Sequence, residues 1–457
     1  MAATIVALAT PQGRSGIGVI RLSGDDSVKI AAALIGLNEP DLTPRQASLY
    51  NLKDPVTGET LDSALVTYFR APNSFTGEDV VEISCHGSPV ILREVVDVCL
   101  AEGARLAEPG EFSLRALGNG RINLAEAEAI RDLIDSQTAA AARQAVRQMH
   151  GEFSARLQPI TDALLDIIVI LESALEFVED DLPEAQADKV RAGMVGVSDA
   201  IRRISATFKA GKLIREGISV ALVGRPNVGK SSLFNYLLGS DRAIVTEIAG
   251  TTRDQLRERL VVNDIPISLI DTAGLRETVD TVESIGVERS RKTMADADIV
   301  VVIVDASVDL ENEDIEIIRS VKDVTHLIVA NKMDIAPVDA TRKIGALIGE
   351  LTKSELILIS AKTGHSVDLL KRNLIAPFSP GEAPSTGFLV SDARHYNLLV
   401  RASAEIENSI ELLDTRASEE LTLIGLHNAL RYLGQITGES TTEDMLTRIF
   451  STFCIGK

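Results

Sequence analysis

Tryptophan is missing from the 457 residues, cysteine occurs three times, and aromatic side chains make up only 4%. Cys85, Cys99 and Cys454 are odd in number and scattered, so no disulfide framework is expected and the chain reads as reduced. Basic residues are in deficit: 46 Lys and Arg stand against 66 Asp and Glu, a formal charge of −20. That balance supplies no global attraction to nucleic acid or to an anionic membrane. An RNA partner must therefore meet a local basic patch or a second protein. Long apolar runs are lacking too; Ile299 to Val304 is far too short to cross a bilayer. The stretch Met1 to Leu8 has no basic residue and is soon followed by Pro11 and Gly13, which argues against a signal peptide. A cytoplasmic protein of roughly two to four domains is expected.

What is present is a phosphate-binding pattern. Gly224-Arg-Pro-Asn-Val-Gly229-Lys230-Ser231 follows the apolar run Ile218 to Val223, which reads as a buried strand. It precedes Ser232 to Leu238, whose apolar spacing suits a helix. Strand, Gly-rich loop, helix is the context in which this pattern holds phosphate. Backbone N–H groups around Asn227, Val228, Gly229 and Ser232 can point inward, and the helix N-terminus adds partial positive charge. Lys230 can reach the outer phosphates, and the Ser231 hydroxyl can ligate Mg²⁺.

Four more motifs follow in order. Ala249-Gly250-Thr251-Thr252 lies where a mobile loop can give a threonine hydroxyl to Mg²⁺. In Asp271-Thr272-Ala273-Gly274, Asp271 can hold the metal's water shell and the Gly274 N–H can sense the γ-phosphate. Asn331-Lys332-Met333-Asp334 ends another strand, and its Asp334 can accept two hydrogen bonds from guanine N1–H and the 2-amino group. Adenine lacks both donors, at a cost of about 1–3 kcal/mol per lost bond. Ser360-Ala361-Lys362 supports the base from the other side. Five motifs in this order define a GTP site rather than an ATP site.

The hydrolysis step departs from the common pattern. In Ras-type switches a glutamine after Asp-x-x-Gly orients the attacking water. Here Leu275 stands in that place and cannot hydrogen-bond. Arg276, Glu277 and Glu283 on the following loop are the candidates for positioning the water. Asn227 can place its side-chain oxygen among the phosphates and ligate a monovalent cation, which would neutralise charge there as an arginine finger does.

The fold class expected is an α/β multidomain chain. Residues 1–118 form an α+β domain, with strands at Thr4 to Leu8, Gly18 to Leu22, Ala64 to Phe69 and Val80 to Ser84 and a helix from Val90 to Glu102. Gly13, Gly16 and Gly18 have the wrong spacing for a dinucleotide fingerprint and read as a turn. Residues 119–215 and 377–457 form a discontinuous helical domain, with tracts at Leu124 to Ile134, about Leu157 to Glu179, and about Glu184 to Arg215. The basic cluster Arg202, Arg203, Lys209, Lys212 and Arg215 reads as a solvated face, with phosphate contact as the second possibility. Residues 216–376 form an inserted Ras-like P-loop GTPase domain, a parallel sheet with helices on both faces.

The whole chain resembles the MnmE (TrmE) family of tRNA-modifying GTPases. The resemblance is carried by Pro11-Gln-Gly-Arg-Ser-Gly-Ile-Gly18, Asn73-Ser-Phe-Thr-Gly-Glu-Asp79, His86-Gly87 and Pro109-Gly-Glu-Phe112, and by the tail Phe453-Cys-Ile-Gly-Lys457. It implies that the N-terminal domain binds a tetrahydrofolate derivative and dimerises, with Arg21, Glu82, Arg121 and Lys457 matching the folate contacts. Where the family often has lysine, Arg121 keeps the charge but not the shape. It implies K⁺ ligation by Asn227, Thr246, Ile248 and Thr251, with Mg²⁺ on Ser231 and Thr252. Thr246, Glu247 and Ile248 then join the GTP-binding set, and Glu283 matches the water-positioning glutamate. The role of Cys454 stays open. The family reaction modifies C5 of the wobble uridine of certain tRNAs, together with the FAD-binding MnmG (GidA) protein, using a one-carbon unit from methylene-tetrahydrofolate. The alternative is a ribosome-assembly or regulatory GTPase switch, since the GTPase motifs are common to both groups.

Overall fold

The computed structural model describes residues 3–37, 42–176, 184–241, 257–271, 297–352, 354–378, 387–415 and 419–456. Contacts divide the chain into two compact units. One comprises Met1–Arg131, Gln148–Arg191 and Asn408–Lys457; the other comprises Asp132–Arg147 and Ala192–Glu407.

The first unit is built on a six-stranded sheet. Its strands are β1 (Ile5–Leu8), β2 (Ser15–Ser23), β3 (Ala47–Lys53), β4 (Thr60–Phe69), β5 (Val80–Gly87) and β6 (Arg105–Leu106), in the order β3-β4-β5-β2-β1-β6. Neighbours are antiparallel except β1 and β6. Alternation along β2 and β5 sends Ile20, Leu22, Val81, Ile83 and Cys85 to one face. The helices Ser27–Ile35 and Pro89–Ala101 cover that face with Ile30, Leu34, Leu92, Val95 and Cys99. Gly16 and Gly18 lie inside β2 rather than in the expected turn. A side chain at position 18 would meet the Leu92 methyl groups at 2.4 Å, so any larger residue there would have to displace that side chain. Helix Glu152–Glu176 packs along helix Glu419–Thr437, where Glu172 meets His427 at 3.0 Å.

The second unit holds the other sheet: β7 (Ile218–Val223), β8 (Arg257–Val262), β9 (Ile265–Asp271), β10 (Ile299–Asp305), β11 (His326–Asn331) and β12 (Leu356–Leu358). The order is β12-β11-β10-β7-β9-β8. All neighbours are parallel except the edge pair β8 and β9. Central β10 is buried at every residue, as its unbroken apolar run demands. Ile299, Val301 and Ile303 face helices Lys230–Asp241 and Val367–Ile375. Val300, Val302 and Val304 face helices Asn312–Ser320 and Val338–Leu351. The expected parallel sheet with helices on both faces is therefore present. The tract read as one helix from Glu184 to Arg215 is two, Glu184–Ser205 and Phe208–Glu216. Among the described residues no helix is long and apolar enough to cross a membrane.

Candidate nucleotide-binding site

The loop after β7 turns at Gly224 (φ 150°), Asn227 (φ 65°) and Gly229 (φ 100°) and enters helix Lys230–Asp241. A side chain at position 224 would come within 2.3 Å of the Ile303 carbonyl, so the loop lies tight against β10. Lys230 is buried, and its Nζ donates to the Gly224 and Arg225 carbonyls, each at 2.7 Å. Asn227, Ser231 and Ser232 are exposed, while Val228 is buried beneath the loop. The Arg225 guanidinium is tied to the start of helix Asn312–Ser320, 2.5 Å from Glu311 and 2.8 Å from Asp314. The Arg225–Asp314 approach is that of an ion pair, without hydrogen-bond geometry between Nε and Oδ1.

The base side is built at the end of β11. Asn331 is 2% exposed; its Nδ2 donates to the Val228 carbonyl at 3.0 Å and its Oδ1 accepts from the Ala361 N–H at 2.9 Å. One amide therefore joins the phosphate loop to the Ser360–Lys362 stretch. Asp334 Oδ1 accepts from the Ser360 hydroxyl at 2.7 Å, and Ser360 Oγ also accepts from the Thr363 N–H at 3.2 Å. Lys332 Nζ lies 2.6 Å from Asp305 Oδ2. Burial opposes charge on Asp305, but Lys332 and Ser307 hold its carboxyl below the usual range. Lys362 is exposed. Asp271 closes β9, in register with Leu222 of β7.

Thus Asn227, Val228, Gly229, Lys230, Asn331, Asp334, Ser360 and Ala361 converge at the C-terminal ends of parallel strands, the usual position of a ligand in such sheets. Thr246, Glu247, Ile248, Ala249, Gly250, Thr251, Thr252, Thr272, Ala273, Gly274, Leu275, Arg276, Glu277, Glu283 and Lys457 lie outside the described residues. Arg225 and Asp305 were not singled out from sequence; an Asp ending the strand beside the Asn331 motif is a signal that could have found Asp305.

In the other unit, Arg21 and Glu82 are register neighbours on β2 and β5. Arg21 donates from Nε and Nη2 to Glu82 Oε1 at 2.9 and 2.7 Å, and from Nη1 to the Gly456 carbonyl at 3.3 Å. Its guanidinium also lies 5.7 Å from the ring centres of Phe75 and Phe112. The tail reaches this place after helix Glu443–Phe450: Phe453 packs on Phe450, and the Gly110 N–H donates to the Cys454 carbonyl at 3.4 Å. Cys454 itself is exposed. Cys85 and Cys99 are buried, which pushes their thiols up to about 12. Arg121 lines a cleft of about 430 Å³ with Asn123, Glu126 and Gly438. The motif Asn73 to Asp79 braces the scaffold: Tyr68 donates to Asp79 at 2.8 Å, and Arg115 meets Glu78 at 2.9 Å.

A phosphate-type loop after the first strand of the second sheet, the Asn331-Lys332-Met333-Asp334 stretch after β11, and helices on both faces define a P-loop GTPase. Models of two families match: the MnmE helical domain over residues 124–454 and the GTP-binding protein TrmE N-terminus over residues 4–121. Curated relatives named tRNA modification GTPase MnmE include those of Koribacter versatilis, 43% identical, Aquifex aeolicus, 41%, and Neisseria gonorrhoeae, 42%. Each alignment covers 99% of this chain and 99% of the relative. The chain belongs to the MnmE (TrmE) family of tRNA modification GTPases.

Proposed function

We propose that this GTPase is activated by K⁺ and acts as a homodimer in the cytoplasm with an FAD-binding partner of the MnmG (GidA) type. The proposed reaction adds an aminomethyl or carboxymethylaminomethyl group at C5 of the wobble uridine of certain tRNAs, with the one-carbon unit taken from methylene-tetrahydrofolate. The observation that carries the carbon-transfer half is the convergence of Arg21, Glu82 and the tail at Gly456. A cation there can hold the carboxylates of folate, and Glu82 can pair with donors of the pterin. Arg121 and Lys457 complete the proposed folate set, and Cys454 is a candidate within the same tail.

In the GTPase half, Asp334 would read guanine and the phosphate loop would hold the phosphates, Lys230 exchanging its two carbonyl partners for them. Asn227 and Ser231 suit cations because their oxygen donors are exposed on the phosphate loop and at the start of its helix. Asn227 would hold K⁺ with Thr246, Ile248 and Thr251; Ser231 would hold Mg²⁺ with Thr252. The bound cations would neutralise charge on the β- and γ-phosphates. Glu283 would position the water, since Leu275 has no polar atom to do so. Hydrolysis would open and close the dimer rather than drive the carbon transfer itself.

GTP turnover is expected to be faster in K⁺ than in Na⁺ at protein concentrations that support dimerisation; equal rates would remove the cation from the proposal. Titration with 5-formyl-tetrahydrofolate is expected to give a calorimetric signal, and Arg21→Ala is expected to weaken it by about tenfold or more, the loss of a charge-assisted pair. No heat from the wild-type chain would remove folate and favour a switch without carbon transfer.

A further inference from the structure

Asp305 ends β10 beside Asn331 of β11 in the sheet register and is 9% exposed. Both of its oxygens are engaged. Oδ1 accepts from the Ser307 N–H at 2.9 Å and the Ser307 hydroxyl at 2.6 Å. Oδ2 accepts from Lys332 Nζ at 2.6 Å. The Ala306 N–H donates to the Asn331 carbonyl at 2.8 Å, so the two strand ends are also joined through the backbone. Lys332 sits at φ 68°, a left-handed conformation uncommon for a residue with a side chain.

Each residue of the stretch 331–334 has a tether of its own. The Asn331 amide spans two loops, the Met333 N–H donates to the Ile359 carbonyl at 3.1 Å, and Asp334 accepts from Ser360. The Lys332 carbonyl accepts from the Ile335 N–H at 3.1 Å, and the tether of its side chain is Asp305. We infer that Asp305 is a positioning residue of the guanine pocket, holding Lys332 in its left-handed turn so that Asp334 stays aimed at the base. The inference rests on the reading of Asp334 as the guanine acceptor. Without the carboxylate the lysine loses its buried counter-charge, and its backbone can relax toward the right-handed region. Rotation there swings Asp334, two residues on, away from the direction in which it can accept two hydrogen bonds at once. The effect arises on the base side, so it falls equally on the di- and triphosphate.

The test is a double-mutant cycle on the full chain, with calorimetric titration of GDP and of a non-hydrolysable GTP analogue. Asp305→Ala is expected to weaken both by about tenfold, the scale of coupling within one charged network. In a Lys332→Ala background the same substitution is expected to change affinity by less than about twofold, because Asp305 acts through that lysine. Asp305→Asn, which keeps an oxygen acceptor, is expected to lose less and serves if the alanine variant does not fold. Equal losses in both backgrounds, no loss, or a loss confined to the triphosphate would overturn the inference. The guanine reading is tested apart from it by Asp334→Asn. Xanthine carries a carbonyl where guanine has its 2-amino group, which suits an amide, so that variant is expected to prefer xanthine nucleotides. A retained preference for guanine would sink the reading of Asp334 whatever the cycle shows.

Discussion

Gly229→Ala is expected to lower GDP affinity by about two to three orders of magnitude while leaving the sheet folded. Gly229 sits at φ 100°, where a Cβ costs about 1–2 kcal/mol. The added methyl would also lie 2.2 Å from Asn331 Nδ2. That amide is 2% exposed and joins Val228 to Ala361, so pushing it aside costs about 1–3 kcal/mol for the bond it gives up. The loop escapes by leaving the competent conformation, and a penalty of about 3–4 kcal/mol then falls on nucleotide binding. Gly239→Ala is the control. It lies in the helix that follows Gly229, with nothing among the described residues within 4 Å of an added Cβ, so it should be neutral or stabilising by up to about 1 kcal/mol. Calorimetric titration with GDP and a thermal melt without nucleotide distinguish the two variants. Binding by Gly229→Ala within tenfold of wild type would show that the methyl is accommodated and that the Asn331 amide does not couple the phosphate loop to Ala361.

The GTPase class and the candidate nucleotide site were legible because the motifs that suggest them are local devices. A phosphate loop needs glycines at positive φ between a strand and a helix, and a guanine acceptor needs a carboxylate just past a strand end; both are short patterns. The unbroken apolar run Ile218 to Val223 likewise coincides with β7. Elements at the edges were missed. β3 buries only Leu52 fully and leaves Leu49 exposed, and β8 is joined to β9 by Asn263 and Asp264, both left-handed (φ 51° and 62°), a two-residue hairpin. The break after Ser205 carries no glycine or proline; Thr207 Oγ1 donates to the Ile204 carbonyl at 2.7 Å instead. Pairings distant in the chain left no trace. Asp305 and Lys332 are 27 residues apart, and the basic cluster on 202–215 reads as one solvated face although Arg202 meets Glu407 and Arg215 is drawn inward by Asp132 and Asp392.

Arg215→Met is expected to destabilise its unit by about 3–5 kcal/mol, the scale for removing one partner of a buried ion pair. Arg215 Nη2 lies 2.8 Å from Asp132 Oδ1 and Nη1 lies 2.8 Å from Asp392 Oδ2, with side-chain exposures of 22%, 10% and 14%. It closes helix Phe208–Glu216 just before β7, while Asp392 follows the return of the chain from the sheet. A side chain at Gly211 would meet the Val390 carbonyl at 2.1 Å, so the outgoing and returning segments touch where the guanidinium pins them. Burial works against charge on Asp392, but His395 and Arg215 pull its carboxyl down to about 2. A carboxyl depressed from an unfolded value of about 3.9 contributes stability that is complete above that value and lost as pH falls toward 2. The wild type should therefore hold this contribution unchanged between pH 7 and 5. In the variant Asp392 stays buried without Arg215, and burial, the largest influence on it, then raises its carboxyl above the ordinary range against the remaining pull of His395 and the Arg394 N–H. Proton uptake on folding then stabilises the variant as pH drops, and its deficit should shrink between pH 7 and 5. Denaturant unfolding of both chains at the two pH values checks this. A deficit that stayed constant with pH would assign the loss to packing alone, since a misfitting methionine has no proton to bind.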